Sequence, residues 1–184
     1  VTDIAHSIYN HLQGYDAEVI FAPRGSLEER SDFANEQKAD FFLSIHINAG
    51  GGTGYESHVH PTAPPEEVAI AEAIHTALAA FYVQKGFRDR GLKRSDFAVL
   101  RETKMPAVLP ENLFIDNPVD AEFLKGNVDA IGNEIAYAVV VALGLKPRKP
   151  DNYCPDCAKL YTELQAAKQA LRQVSGITAP WMLK

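Results

Sequence analysis

The chain has 184 residues, 46% of them hydrophobic and 23% charged, enough for one globular domain of ordinary size with some chain beyond it. Its formal net charge of -6 excludes a broad electrostatic grip on nucleic acid, which needs clustered Lys and Arg to neutralise phosphates, and gives no reason to expect an anionic membrane partner. No apolar run approaches the roughly 20 residues of a membrane span, and the only cysteines, Cys154 and Cys157, lie outside the main domain, so the core is not a disulfide scaffold.

In chain order, Val1, Ile4, Ala5, Ile8 and Leu12 keep the spacing of an amphipathic helix, with no capping side chain ahead of them, the pattern of a chain that begins inside an element. The stretch "AEVIFAPRG" (17–25) predicts a short strand leaving into a turn. "SLEERSDFANEQKA" (26–39) predicts a helix in which Ser26 and Glu29 have capping-box spacing. "DFFLSIHINA" (40–49) is a continuous apolar run that predicts a strand buried on both faces. "GYESHVH" (54–60) predicts an alternating strand, 66–82 a helix, and "FAVLRET" (97–103) and "PAVLPENLF" (106–114) two further strands. One long helix is predicted from Asp120 to the C-capping Gly144.

Strands alternating with helices imply an α/β fold of three layers, a mainly parallel sheet flanked by helices on both faces. Sites in such sheets form at the carboxyl ends of strands. His46 and Asn48 stand at one such end and Glu111 at another. The main domain is expected over 1–145. Residues 146–184 begin with a Pro-rich, charged linker and continue into a short helical tail, where Leu160, Leu164, Ala167, Leu171 and Val174 form a seam of barely two heptads. Too short to be stable alone, that seam predicts a homodimer through the tail.

His46 reads either as a hydrogen-bonded core histidine or as a metal ligand. The glycine-rich opening "GGGTG" after Asn48 favours the second, because a catalytic metal needs room for water and substrate. Glu111 is either a surface carboxylate or a general base acting on activated water, and spacing alone does not choose. His58 and His60 share a strand face, expected to be exposed, and offer a weaker alternative in which they ligate metal with His46. His6, His11 and His75 are expected to be solvated on helices. The single CxxC is a weak signal: it reads as a free or locally bridged pair in the linker, or as half of a structural zinc site that a second copy of the chain would complete.

Two blocks go further. "RSDFANEQKADFFLSIHINAGGGTGYESHVHP" (30–61) and "GLKRSDFAVLRETKMPAVLPENLFIDNPVDAEFL" (91–124) resemble the zinc-dependent N-acetylmuramoyl-L-alanine amidases of the type 3 family, and the likeness runs from residue 1 to about 145. The resemblance implies a hydrolase that uses Zn2+ and acts on peptidoglycan, extracellularly or in the cell wall, by cleaving the amide between N-acetylmuramic acid and L-alanine. It implies that His46 is a zinc ligand, that Glu111 is catalytic, and that Asn48, Lys93, Arg94 and Arg101 bind substrate or line the cleft. Pro110 and Asn112 depart from the usual neighbours of the glutamate. The family's other two ligands, a histidine in a "DPGHGG" turn after its first strand and a glutamate shortly before the helix in which this chain begins, match no position here, so the resemblance implies an N-terminally incomplete domain. A non-catalytic wall-binding or regulatory module that has lost its metal is the competing expectation.

Overall fold

A computed structural model describes residues 1–148; the heptad seam, the cysteine pair and the expected dimer contact lie outside the described residues. Six helices and five strands follow one another as α1 (Thr2–Leu12), α2 (Leu27–Glu36), β1 (Phe42–Leu43), β2 (His46–Asn48), β3 (Tyr55–Val59), α3 (Pro65–Gln84), β4 (Asp89–Arg94), α4 (Ala98–Arg101), β5 (Ala107–Phe114), α5 (Pro118–Gly126) and α6 (Val128–Leu143).

The expected mixed α/β architecture with a mostly parallel sheet is what forms. β5 is its spine: β1 and β2 run parallel to it on one side, β3 antiparallel on the other, and β4 continues the sheet parallel to β3. Alternation along β5 divides the interior. Val108 joins the main core with Tyr55, Val59, Ile74, Leu78 and Tyr82, which α1 and α6 complete through Ile4, Ile8, Ile131 and Ile135. Ala107 and Leu109 face the other way, into a smaller core with Val99, Leu100 and Phe42.

The capping box at α2 is present in both halves, Ser26 Oγ accepting from Glu29 N at 3.1 Å and Glu29 Oε2 from Ser26 N at 2.6 Å. Gly144 takes the left-handed conformation (φ 64°) that closes α6. Elsewhere tertiary context overrides local pattern. Residues 17–25 form no strand, because none of the described strands lies alongside them; Phe21 instead packs its ring against His6 and Tyr9 of α1. The 40–49 run splits into β1 and β2 and is half-buried, not buried on both faces. "FAVLRET" contains the short helix α4, since its neighbours Val99 and Leu100 both enter the small core, which strand alternation forbids. The strand before it is "DRGLKR", unpredicted because β4 is a charged, half-exposed edge. The long C-terminal helix breaks at Asn127, whose side chain donates to Phe123 O at 2.8 Å and which caps α6.

One irregularity bears on the site. His46 pairs with Glu111 but Asn48 with Phe114, so two steps along β2 match three along β5. The surplus residue is taken up as a bulge in which Leu113 adopts φ 63°, an unusual conformation for a branched side chain.

Candidate active site

Glu111 sits between two strands, and register alone gives it its neighbours. His46 is its partner across β2 and Glu56 its partner across β3, so imidazole and two carboxylates stand in a row on one face of the sheet. His46 Nδ1 lies 3.9 Å from Glu111 Oε1, while His46 Nε2 is 3.1 Å from Ser44 Oγ. The His46 side chain is 37% exposed and that of Glu111 14%, so the pair is reachable from solvent. Glu111 Oε2 is buried and has no hydrogen-bond partner among the described residues. An acceptor left unsatisfied in this way carries a cost that a catalytic role explains better than a packing role.

The two carboxylates are driven apart in charge. Burial, reinforced by the nearby charge of Glu56, pushes Glu111 up to about 7. Burial acts to raise Glu56 as well, but hydrogen bonds and charge from Lys93 and Arg90 outweigh it and bring Glu56 down to about 2. Glu56 Oε2 accepts from Arg90 Nε and from Lys93 Nζ, each at 2.5 Å, and Oε1 accepts from Asn48 Nδ2 at 3.1 Å. Burial, then the positive charge of Arg30, lowers His46 below its ordinary value, so its imidazole is neutral near pH 7. One carboxyl that shares its proton near neutrality beside one that stays ionised is the division of labour that acid–base chemistry requires.

The structure therefore gathers His46, Asn48, Lys93 and Glu111. Arg94 and Arg101 it engages elsewhere: Arg94 Nη1 donates to Pro61 O at 3.0 Å, and Arg101 pairs with Asp96 at 2.6 Å and with Glu102 at 3.1 Å. Sequence reasoning missed Glu56, Ser44, Arg30 and Arg90. The available signal was Glu56 two residues before His58, a charged pair on one face of a strand that turns out to be buried throughout.

His58 is not on an exposed face. It is buried with Nδ1 2.7 Å from Ser95 Oγ and Nε2 3.3 Å from Glu56 Oε1, whereas His60 turns to Thr62 and Asp96. The His46, His58, His60 set does not assemble, and among the described residues no group of three His, Cys, Asp or Glu donors is placed to hold a metal ion. His75, expected to be solvated, is buried against Ser57 Oγ at 2.9 Å and Asp89 Oδ1 at 3.2 Å. That Ser–His–Asp order is no nucleophile, because Ser57 is 0% exposed and shares its hydroxyl with Tyr55 at 2.6 Å.

The glycine-rich loop is clamped from the far end of β5. Gly50 N and Gly51 N both donate to Asp116 Oδ2, at 2.7 and 2.8 Å, and Asp120 accepts from Thr53 Oγ1, Gly54 N and Phe114 N. A Cβ at Gly52 would meet the Phe114 ring at 2.5 Å. Only glycine lets the loop pass that close to the ring, and Phe114 in turn carries the Arg90 guanidinium 5.1 Å above its centroid.

Comparison with known proteins gives a consistent picture. A family model described as N-acetylmuramoyl-L-alanine amidase matches residues 1–143. The N-acetylmuramoyl-L-alanine amidase CwlM of Bacillus licheniformis is 39% identical over 143 residues, covering 77% of this chain and 55% of that protein. The sporulation-specific amidase of Bacillus subtilis is 47% identical over 100 residues, 54% of this chain and 38% of its own. The chain thus spans about half the length of the first of these relatives and less of the second. Among solved structures, the catalytic domain of CwlV from Bacillus (Paenibacillus) polymyxa superposes with a TM-score of 0.69 at 27% identity, covering 78% of this chain and 82% of that one. An amidase of Clostridium difficile gives 0.67 at 29% identity, covering 77% and 78%.

Proposed function

The chain belongs to the N-acetylmuramoyl-L-alanine amidase family, and from that premise we propose that it hydrolyses the amide joining the lactyl group of N-acetylmuramic acid to the L-alanine of the peptidoglycan stem peptide. The observation that carries this reading is Glu111 Oε2, an orphaned carboxylate oxygen beside His46 on a group poised near neutrality. A general base works best when its pKa lies near the operating pH. Glu111 takes a proton from the attacking water, and the amide C–N bond breaks. Glu111 then returns the proton to the departing L-alanyl nitrogen, leaving a lactyl carboxylate and a free amine.

We further propose zinc as the cofactor, with His46 as one of its ligands. Bound there, zinc supplies the positive charge that polarises a carbonyl and acidifies water. The described residues fit this site only in part: a catalytic zinc takes three protein ligands and they bring one, so no step is derived through the metal. Glu56 is occupied by two cations and is not free to serve. Asn48 and Lys93 are assigned to the substrate-facing wall, and Arg94 and Arg101 to holding the segments behind it. Residues 1–145 are taken as the amidase domain and 146–184 as the tail, whose first three residues strap back onto the turn after α1. The place of action is the cell wall, where the substrate is.

The test is release of N-terminal L-alanine amine from purified peptidoglycan, labelled and counted, by the wild-type protein loaded with zinc and by Glu111→Gln. Release that falls roughly 10²-fold or more in the variant supports the reading. Wall binding without amine release in either form would make the chain a wall-binding module instead.

A further inference from the structure

Arg90 is held in an arrangement that Glu56 does not exhaust. Its Nε donates to Glu56 Oε2 at 2.5 Å, and its guanidinium lies over the Phe114 ring. Among the described residues the two terminal Nη groups have no hydrogen-bond partner, and the side chain is 30% exposed. Lys93 meets the same Glu56 oxygen and is 39% exposed. Two cations therefore share one carboxylate, which leaves one positive charge uncompensated in a chain whose net charge is -6. The fork is rigid on three sides: salt-bridged at Nε, stacked below on Phe114, and carried by a strand paired to β3. A preorganised guanidinium with both Nη groups open is suited to bidentate capture of a planar anion.

The geometry points to Arg90, assisted by Lys93, as a subsite for a carboxylate of the stem peptide, most directly the free α-carboxylate of the second stem residue. This inference rests on the amidase reading and deepens it. Glu111 is on β5 and Arg90 on β4, with β3 between them, so the two positions are separated by about two strand spacings, roughly 10 Å. The Arg90 head, however, leans back to Glu56, the direct cross-strand partner of Glu111, so the fork lies about one strand spacing, roughly 5 Å, from Glu111; two residues of extended peptide span about 6.6 Å, which brings the carboxylate one residue beyond alanine within reach when the lactyl–alanine amide lies at Glu111. The site then discriminates stems by charge: isoglutamate at the second position presents an anion, whereas isoglutamine presents a neutral amide that the fork cannot hold as strongly.

The probes are N-acetylmuramoyl-L-alanyl-D-isoglutamate and its D-isoglutamine counterpart, both with the γ-carboxyl blocked as its methylamide so that they differ only in the α-carboxylate, titrated calorimetrically into the full 184-residue chain at low salt. The acid is expected to bind about tenfold or more tighter than the amide, the usual scale for charge-assisted bonds. Arg90→Gln should erase that ratio, and Arg90→Lys, which keeps charge but loses the fork, should reduce it. Thermal unfolding of both variants reports whether they remain folded, and if the glutamine form unfolds the lysine form alone decides. Equal binding of the two probes by the wild type, a ratio that survives both substitutions, or no binding of either probe overturns the inference. The amidase reading fails separately, by absence of amine release from intact peptidoglycan.

Discussion

Glu56 and Glu111 face each other across the antiparallel pairing of β3 with β5, and their surroundings give them opposite tendencies, the first held down to about 2 and the second pushed up to about 7. The difference lies in what reaches each oxygen. Lys93 and Arg90 close on Glu56, whereas among the described residues Glu111 is paired only with His46, 3.9 Å away and itself kept neutral. A pH profile follows. If ionised Glu111 is the base, turnover should fall as pH drops through about 7. Glu56→Gln removes a negative neighbour and frees two cations, both of which favour the ionised form, so the acid limb should move to lower pH. A limb that stays in place would detach Glu111 from Glu56.

The same carboxyl has a cost in stability. Its folded pKa is raised above the ordinary 4.5, so the folded state binds protons more tightly than the unfolded one, and stability is lost as pH rises from about 4.5 through about 7. Glu111→Gln should therefore be more stable than the wild type at pH 8, by on the order of 1 kcal/mol, while being far less active. Urea unfolding at pH 5 and pH 8 checks it: the gain should appear at the higher pH and shrink at the lower.

Legibility of this molecule in its sequence follows the range of the forces involved. Local signals read correctly: the Ser26–Glu29 capping box, the Gly144 cap and the apolar run of β5 each depend on residues within a turn or a strand of one another. His46 and Glu111 stood out because each interrupts an apolar run, although Glu111 lies inside β5, paired on both sides, and not at a strand's carboxyl end as the sequence suggests. Glu56 was not, because its role comes from cross-strand register with Glu111 and from a charged edge strand, "DRGLKR", which carries no hydrophobic alternation. The burial of His58 and His75 was hidden for the same reason. Their partners Ser95 and Asp89 are distant in sequence and arrive only when β4 pairs with β3.

His75 offers an acid-side test remote from the cleft. Burial, its largest influence, lowers it below 6.5 despite the neighbouring Asp89 charge. The unfolded state then binds protons more readily, so stability is intact above about 6.5 and is lost as pH falls below it. His75→Gln, which keeps a polar side chain between Ser57 and Asp89 but cannot take up a proton, should be less stable at pH 7 and flatten the decline between pH 6.5 and 5. An unchanged slope would assign the decline to His46 and His58, both also lowered by burial.

Gly52 links the loop to the Arg90 fork. A methyl there meets the Phe114 ring at 2.5 Å, so Gly52→Ala should displace the ring or the loop at a cost of about 1–3 kcal/mol. Urea titration measures that cost, and NMR of the Arg90 guanidinium reports whether its mobility changes. An alanine variant as stable as the wild type would mean that the loop relaxes freely, against its clamp on Asp116 and Asp120.

The sequence boundary fell after residue 145, but the described structure fastens the next three residues onto the turn after α1. Lys146 N donates to Asp16 Oδ1 at 2.6 Å and Asp16 N to Lys146 O at 2.8 Å, while Arg148 N reaches Gly14 O at 2.7 Å and Arg148 Nη2 reaches Ala17 O at 2.9 Å. Removing residues 146–184 should therefore cost about 1–3 kcal/mol, since each such bond contributes about 0.5–1.5 kcal/mol and these are solvent-exposed. Removing only 149–184 should leave the unfolding temperature nearly unchanged and, on the expectation from sequence of a homodimer through the tail, convert a dimer to a monomer in light scattering. Equal stability of the two truncated forms would show that the 146–148 strap contributes nothing, and identical masses before and after the shorter cut would remove the dimer.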